Sequence, residues 1–396
     1  MQHRLIDHSP DLMKLRDEGF EIKINGAFLL IDSVPYVNSL KEVKYGTLVS
    51  TLTLSGDRTS QPDNHVAYFI GDQPCNKDGT IITALIHQQN KTVLAEGLGV
   101  DRSFSNKPLS GYVDYYHKMT TYINIISGPA QSIDDLVTAQ TFRLVTSSDQ
   151  SETEFKYPDT NSSRAGISLI SDKLRNQKIG IVGIGGTGSY LLDLISKCPV
   201  KEIRIFDNDK FLLHNAFRTP GAPSLEILNE TPKKVHYFYN IYSRMHSNIV
   251  IHDICINQAN LDELKDLDFV FICIDKGYIK KDIFDYLSKN KISFIDVGIG
   301  VEVTDKNSLI GLLRITTGIK GGIEHILSKG RISLNDGNED DDYHQNIQIA
   351  ELNALNASLA VIKWKKLLGF YFAAENEKHS LYSLDDNSII NDDFES

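Results

Sequence analysis

Apolar residues fall in two rhythms along this chain. In the second part, short apolar runs at Ile179–Ile184, Glu202–Phe206, Ile249–Ile254, Phe269–Ile274 and Ser293–Val297 alternate with helical stretches at Gly188–Ser196, Lys233–Ser247, Leu261–Leu264 and Tyr278–Lys289. Apolar strands between helices predict an α/β domain whose mostly parallel sheet is covered on both faces. Residues 1–146 read differently. Strand-like runs at Phe20–Ile24, Ala27–Ile31, Gly46–Leu54 and His65–Ile70 are separated by the turn signals Asn25-Gly26, Ser55-Gly56-Asp57 and Asp78-Gly79. Ser9-Pro10-Asp11 opens a short helix, while Tyr115–Ile126 fits either a helix or a strand. This predicts a smaller α+β domain with a mostly antiparallel sheet. The polar stretch 147–163 is the expected linker, and residues 164–396 form the second domain.

Two later segments add to this picture. Residues 346–368 are strongly helical and apolar on most faces, so that helix must be buried, in the core or in a subunit interface. Residues Asn335–Asp342 are acidic; they fit a solvated loop tip, with a crossing segment near a protein substrate as the other possibility. The chain has 396 residues, too many for one ordinary domain. No apolar stretch approaches a membrane span and no signal-peptide region opens the chain. The formal charge of −11 argues against nucleic-acid binding, which needs basic surface. The four cysteines form no C-x-x-C pair, so a cytoplasmic protein without a disulfide framework or zinc clamp is expected.

The candidate chemistry lies in Lys178-Ile-Gly-Ile-Val-Gly-Ile-Gly-Gly-Thr-Gly-Ser189. It reads as strand, glycine turn and helix start, with Gly183, Gly185 and Gly188 in the spacing G-x-G-x-x-G. Glycines admit a close phosphate, and the free N–H groups and dipole of the following helix attract it. Asp207 ends the next strand, about twenty residues on, where a carboxylate holds a ribose hydroxyl. A nicotinamide enzyme would need no more than this. Beyond it stand Asp209, Asn215 and Arg218, a polar cluster suited to a triphosphate. Gly185, Asp207 and Asp275 each fall at the carboxyl end of an expected strand, where ligands of open α/β sheets bind.

In order, G-x-G-G-x-G-S, D-x-D, N-x-x-R, a lysine and a strand-end aspartate resemble the ThiF/MoeB/HesA superfamily, which includes the adenylation domains of ubiquitin-activating enzymes. The resemblance covers roughly residues 160–396. It implies a Rossmann-like domain that uses ATP and Mg²⁺ to adenylate the C-terminal carboxylate of a ubiquitin-like protein. Gly183, Gly185, Gly186 and Gly188 would cradle phosphate, and Asp207 would hold the ribose. Asn215, Arg218 and Lys234 (with Lys233 as the alternative) would meet the triphosphate, and Asp275 would bind Mg²⁺. Asp209 would steer Arg218 or the metal, and Arg164 fits by position an arginine that reaches into the partner's site of a homodimer. The family often has Asn after the metal aspartate; here it is Lys276.

Ubiquitin-activating enzymes also carry a thioester cysteine beyond that aspartate, and no cysteine follows Cys273 here. Cys255 and Cys273 sit in expected strands and Cys198 ends a helix, which leaves Cys75, in a turn, as the one exposed candidate. It is either a catalytic thiol or a structural turn residue, and the other route is transfer to a separate conjugating protein. The first region, in residues 9–19 and 111–130, resembles an uncharacterised domain fused to bacterial ThiF-like proteins, which implies a bacterial ubiquitin-like pathway. Two competing functions stay open: an NAD-dependent oxidoreductase and a catalytically silent scaffold of this fold.

Overall fold

A computed structural model describes residues 2–145, 154–334 and 347–394. The chain divides into two compact units, Met1–Glu152 with Tyr157–Ser168, and Thr153–Lys156 with Leu169–Ser396.

The first unit opens with helices α1 (Gln2–His8) and α2 (Pro10–Asp17). Ten strands follow: β1 (Glu21–Asn25), β2 (Phe28–Val37), β3 (Val43–Thr51), β4 (Leu54–Ser55), β5 (Arg58–Thr59), β6 (Val66–Ile70), β7 (Ile86–Gln88), β8 (Thr92–Ala95), β9 (Leu98–Val100) and β10 (Arg102–Ser105). Six build an antiparallel sheet in the order β1-β2-β3-β6-β10-β7. The ambiguous segment is a helix, α3 (Tyr115–Gln131). Its Asp114 cap accepts from His117 N at 2.7 Å. Tyr115, Met119, Tyr122 and Ile126 recur at helical spacing and bury against Leu29, Ile31 and Phe69 of the sheet. Burial of one face overrides the strand preference of the β-branched residues.

Described parts of the expected linker are built structure. Lys156 N donates to Met245 O at 2.8 Å, so residues 154–156 join the second unit. Helix α4 (Thr160–Arg164) joins the first, capped by Asp159, with Ser163 Oγ accepting from Arg16 at 2.8 Å. The acidic run Asn335–Asp342 lies outside the described residues.

In the second unit, α5 (Ser168–Ser171) precedes strand β11 (Lys178–Val182) and helix α6 (Gly186–Ile195). Then come β12 (Glu202–Phe206), α7 (Leu213–Ala216), α8 (Leu225–Glu230), α9 (Lys234–Tyr242), β13 (Ile249–His252), β14 (Phe269–Ile272), α10 (Gly277–Lys289) and β15 (Ser293–Val303). The chain continues through β16 (Leu309–Gly318), α11 (Glu324–Ser328), α12 (Ala350–Leu367), β17 (Glu377–Ser383) and β18 (Ile389–Phe394). One sheet runs β13-β12-β11-β14-β15-β16-β17-β18, parallel through β15 and antiparallel beyond it. Strand order leaves β11 in one direction toward β13 and in the other toward β15. The crevice between β11 and β14 is therefore a topological switch point.

Both faces of the sheet are buried, as expected. Ile179, Ile181 and Ile205 pack in one core with residues of α6, α9 and α12, while Val182, Val270 and Ile272 pack in another with residues of α10. The apolar late helix is α12, and Ala357, Ala360 and Trp364 place it in the core of its own unit. Among the described residues no helix is long and apolar enough to cross a membrane.

The turn before β13 carries a buried titratable group. His246 is fully buried; its Nε2 donates to Val200 O at 3.0 Å and its Nδ1 accepts from Asn248 N at 3.2 Å. That pairing requires the neutral ring, and burial pushes the imidazole down to about 4 from 6.5. The folded state thus resists a proton that the unfolded chain takes up. Stability from this site is whole above pH 6.5 and falls as pH drops toward 4, by at most roughly 3 kcal/mol. We expect denaturant melts between pH 7 and 4 to show that slope, and His246→Gln to flatten it; an unchanged slope would refute the assignment.

Candidate functional site

The carboxyl end of β11 turns into α6 through four glycines, three of them closely hemmed by their surroundings. Gly183 has φ +89°, and a Cβ there would lie 2.7 Å from Cys273 O. A Cβ on Gly188 would lie 1.9 Å from Gly183 O, so no side chain is possible. At Gly185 the space is open, and Gly185 and Gly186 line a pocket of about 290 Å³. The first N–H groups of α6 point at this loop end, where an anion is favoured.

Asp207 stands just past β12 and lines the same pocket. One oxygen accepts from Ile184 N at 2.8 Å and the other from Asp209 N at 2.8 Å, so the carboxylate ties the loop after β12 to the glycine turn. Burial pushes its acid strength down, against the pull of Lys234. Lys234 opens α9; it is buried, and its Nζ lies 2.7 Å from Asp209 and 3.8 Å from Asp207. The Lys234 hydrogen bond holds Asp209 below the usual carboxylate range, with Lys276 and Lys233 adding to it. Lys233 donates to Asn208 O and lies 3.3 Å from Asp253, so of the two lysines Lys234 is the pocket residue. Asp209 is thus the counterion of Lys234 rather than a group steering Arg218.

Arg218 and Asp275 both line the pocket; burial lowers the Arg218 guanidinium's affinity for its proton, and the nearby Asp275 carboxylate opposes that. Asn215 does not line it. Its Oδ1 accepts from Leu212 N at 2.8 Å and its carbonyl takes Arg218 N, so it shapes the turn that carries Arg218. Among the described residues no group of three or more His, Cys, Asp or Glu could hold a metal by itself. Asp275 is an exposed single carboxylate, a donor that suits a hard ion completed by phosphate and water. Arg164 is exposed at the end of α4 in the first unit, and the pocket of the second unit is described without it.

The thiols depart from expectation. Cys75 is fully buried, bridged to Val37 and Ile81, and burial pushes its thiol up. Its turn is folded inward, not displayed. Cys255 is exposed and lines the pocket, because β13 ends at His252, before the residue expected within it. Cys273 likewise follows β14 and reaches the pocket floor, with its thiol pushed up by burial. Sequence reasoning also passed over Thr187, Gln348 and Asn353, all of which line the pocket. The only hint was polar residues on an apolar helix. We expect iodoacetamide to label Cys255 at least about tenfold faster than Cys75 in the native protein, read by mass spectrometry; equal rates would show that the turn of Cys75 is open.

With this geometry in hand, the chain can be set beside known proteins. Residues 162–304 match the family model "ThiF family", and residues 10–160 match "Domain of unknown function (DUF6791)". Ubiquitin-like modifier-activating enzyme 5 of Gallus gallus is 28% identical over 123 residues, covering 28% of this chain and 31% of that protein. The Aedes aegypti protein of that name is 24% identical over 149 residues, covering 34% and 37%. The chain thus spans about a third of the length of these relatives. The crystal structure of E. coli MccB with ATP aligns with a TM-score of 0.46 at 18% identity, covering 59% of this chain and 69% of that one. The glycine turn, Asp207, Asp209, Arg218, Lys234 and Asp275 all fall inside the first of these matches, and the chain carries a ThiF family domain behind a domain of unknown function.

Proposed function

We propose that this protein is an ATP- and Mg²⁺-dependent adenylyltransferase that activates the C-terminal carboxylate of a ubiquitin-like protein. One observation carries the reading: a glycine turn, two cationic side chains and a strand-end carboxylate converge on one pocket at the switch point of a parallel sheet. The names of the matched relatives, ubiquitin-like modifier-activating enzymes, agree with it.

The acceptor carboxylate is ionised at neutral pH and needs no general base. One of its oxygens attacks the α-phosphorus, the bond to the bridging oxygen of pyrophosphate breaks, and an acyl adenylate results. The difficulty is electrostatic, since an anion must approach a polyanion, and the chain answers with placed charge. The N-terminus of α6 and the glycine turn receive phosphate. Arg218 and Lys234 neutralise the triphosphate, which competes with Asp209 for Lys234. Asp207, held in place by its two backbone hydrogen bonds, accepts a ribose hydroxyl on a remaining lone pair. When bound, Mg²⁺ would screen the phosphate oxygens, and Asp275 would hold it. In the same reading the protein is a cytoplasmic homodimer, Arg164 serves the partner's site, and the acyl group passes to the cysteine of a separate conjugating protein.

A nicotinamide dinucleotide would leave Arg218, Lys234 and Asp275 with nothing to do, and a silent scaffold would need none of them. Pyrophosphate–ATP exchange tests the assignment. We expect exchange that depends on a ubiquitin-like protein with a free C-terminal carboxylate, and a loss of at least about 100-fold in Lys234→Ala and Asp275→Asn. Exchange that survives both substitutions, or tight binding of a nicotinamide dinucleotide in place of ATP, would overturn it.

A further inference from the structure

One buried polar side chain on α12 has no part in the chemistry above. Asn353 is 1% exposed on a helix otherwise buried through Leu352, Ala357, Ala360 and Trp364. Its Oδ1 accepts from Thr187 Oγ1 at 2.9 Å, in the first turn of α6. Its Nδ2 donates to Arg218 O at 3.4 Å. The orientation of the amide follows from its partners: a carbonyl can only accept, so Nδ2 faces Arg218 and Oδ1 faces the hydroxyl. Gly186 is what admits it, for a Cβ there would lie 2.3 Å from Asn353 Nδ2. One turn on, Asn356 Nδ2 donates to Gly298 O at 3.1 Å, and Gly298 is a third wall of the pocket.

Packing alone does not call for an amide here. An aliphatic side chain of the same volume would fill the space with no polar group to desolvate. What an amide adds is two directional bonds of opposite sense, one to the phosphate-binding turn and one to the segment that carries the cation. Those two walls come from α6 and from the loop after α7, and the described backbone hydrogen bonds do not join them directly. We propose that Asn353 is a positioning residue that sets the separation between the glycine turn and Arg218, holding both walls ready for a triphosphate. It acts through Thr187 and Arg218, to each of which it makes one hydrogen bond. Displacements near 1 Å in such a frame cost about 100-fold in rate, so a clamp between walls has a large effect without touching the reacting atoms.

The proposal rests on the pocket being an ATP site, and the experiment separates the two. ATP binding to the full chain is measured first by calorimetry with Mg²⁺ present, then in Asn353→Leu, Thr187→Val and the double variant, with a thermal melt of each. Both single substitutions keep the number of side-chain heavy atoms, and the melts report whether each variant stays folded. We expect wild type to bind ATP, each single variant to bind about fivefold to tenfold more weakly with its melting midpoint held within a few degrees, and the double variant to be no weaker than Asn353→Leu alone. Losses that add, or variants that bind as wild type does, would overturn the positioning role and leave the ATP site standing. A wild type that binds no ATP would remove the site and this role together.

Discussion

Two backbone approaches decide where everything else in the second unit can be. Gly183 presses against the carbonyl of Cys273, and Gly188 against the carbonyl of Gly183, both closer than any Cβ allows. The first contact joins the ends of neighbouring strands β11 and β14, and the second seats the first turn of α6 on that junction. At the switch point the helices following β11 and β14 lie on opposite faces of the sheet, so a crevice is left between them. The glycine turn lines it, with the first N–H groups of α6 at that end. Charge can then be arranged around a fixed point rather than around a mobile loop.

The arrangement of charge follows from the cost of burying it. Lys234 is almost wholly buried, and a buried charge is costly unless it is paired. Asp209 and Asp207 supply that pairing, and Lys234 with the backbone N–H groups of Asp209 and Ile184 favours the charged form of Asp207 against the burial that disfavours it. The same logic supports the far side of the pocket. Asp296, fully buried at the end of the parallel part of β15, is flanked by Lys280 Nζ at 2.9 Å and Arg314 Nη2 at 2.6 Å. Gly298 makes room for that arginine, since a Cβ there would lie 2.7 Å from it. Buried ion pairs add little to net stability but penalise any rearrangement that parts them. They fix geometry in β15 and α10 beside the residues that line the site.

Much of this was legible in the residues because two independent signals coincided. Alternating apolar runs located the strand ends, and the motif residues Gly185, Asp207 and Asp275 fell on those ends. What misled was detail within an element. Asn215 is close to Arg218 in sequence, which suggested a shared ligand; its Oδ1 is used by the turn, and its buried Nδ2 has no protein partner among the described residues. Cys255 follows an apolar run that continues two residues beyond the last paired residue, His252. Strands β16 to β18 carry exposed Ile310, Leu312 and Ile390, so their alternation gives no clean pattern. Asn353 was hidden by its setting, because an apolar helix is read for its apolar residues.

The thiols bear on how an activated acyl group would leave. An internal thioester needs a sulfur that ionises near neutral pH and can reach the anhydride. Cys75 is fully buried and its thiol is pushed up by that burial, away from the first condition. Cys273 reaches the pocket, but its thiol is pushed up by burial, with Asp296 acting the same way. Cys255 is exposed at the pocket's edge, on the segment after β13 with Ile254 and Ile256. The β13 edge lies two strands away from β11, and the glycine turn and Asp275 sit at β11 and β14. Cys255 thus lines the pocket from the β13 side, and the glycine turn and Asp275 line it from the ends of β11 and β14. Transfer to a thiol brought by another protein needs no such reach, because the incoming partner supplies both the nucleophile and its approach.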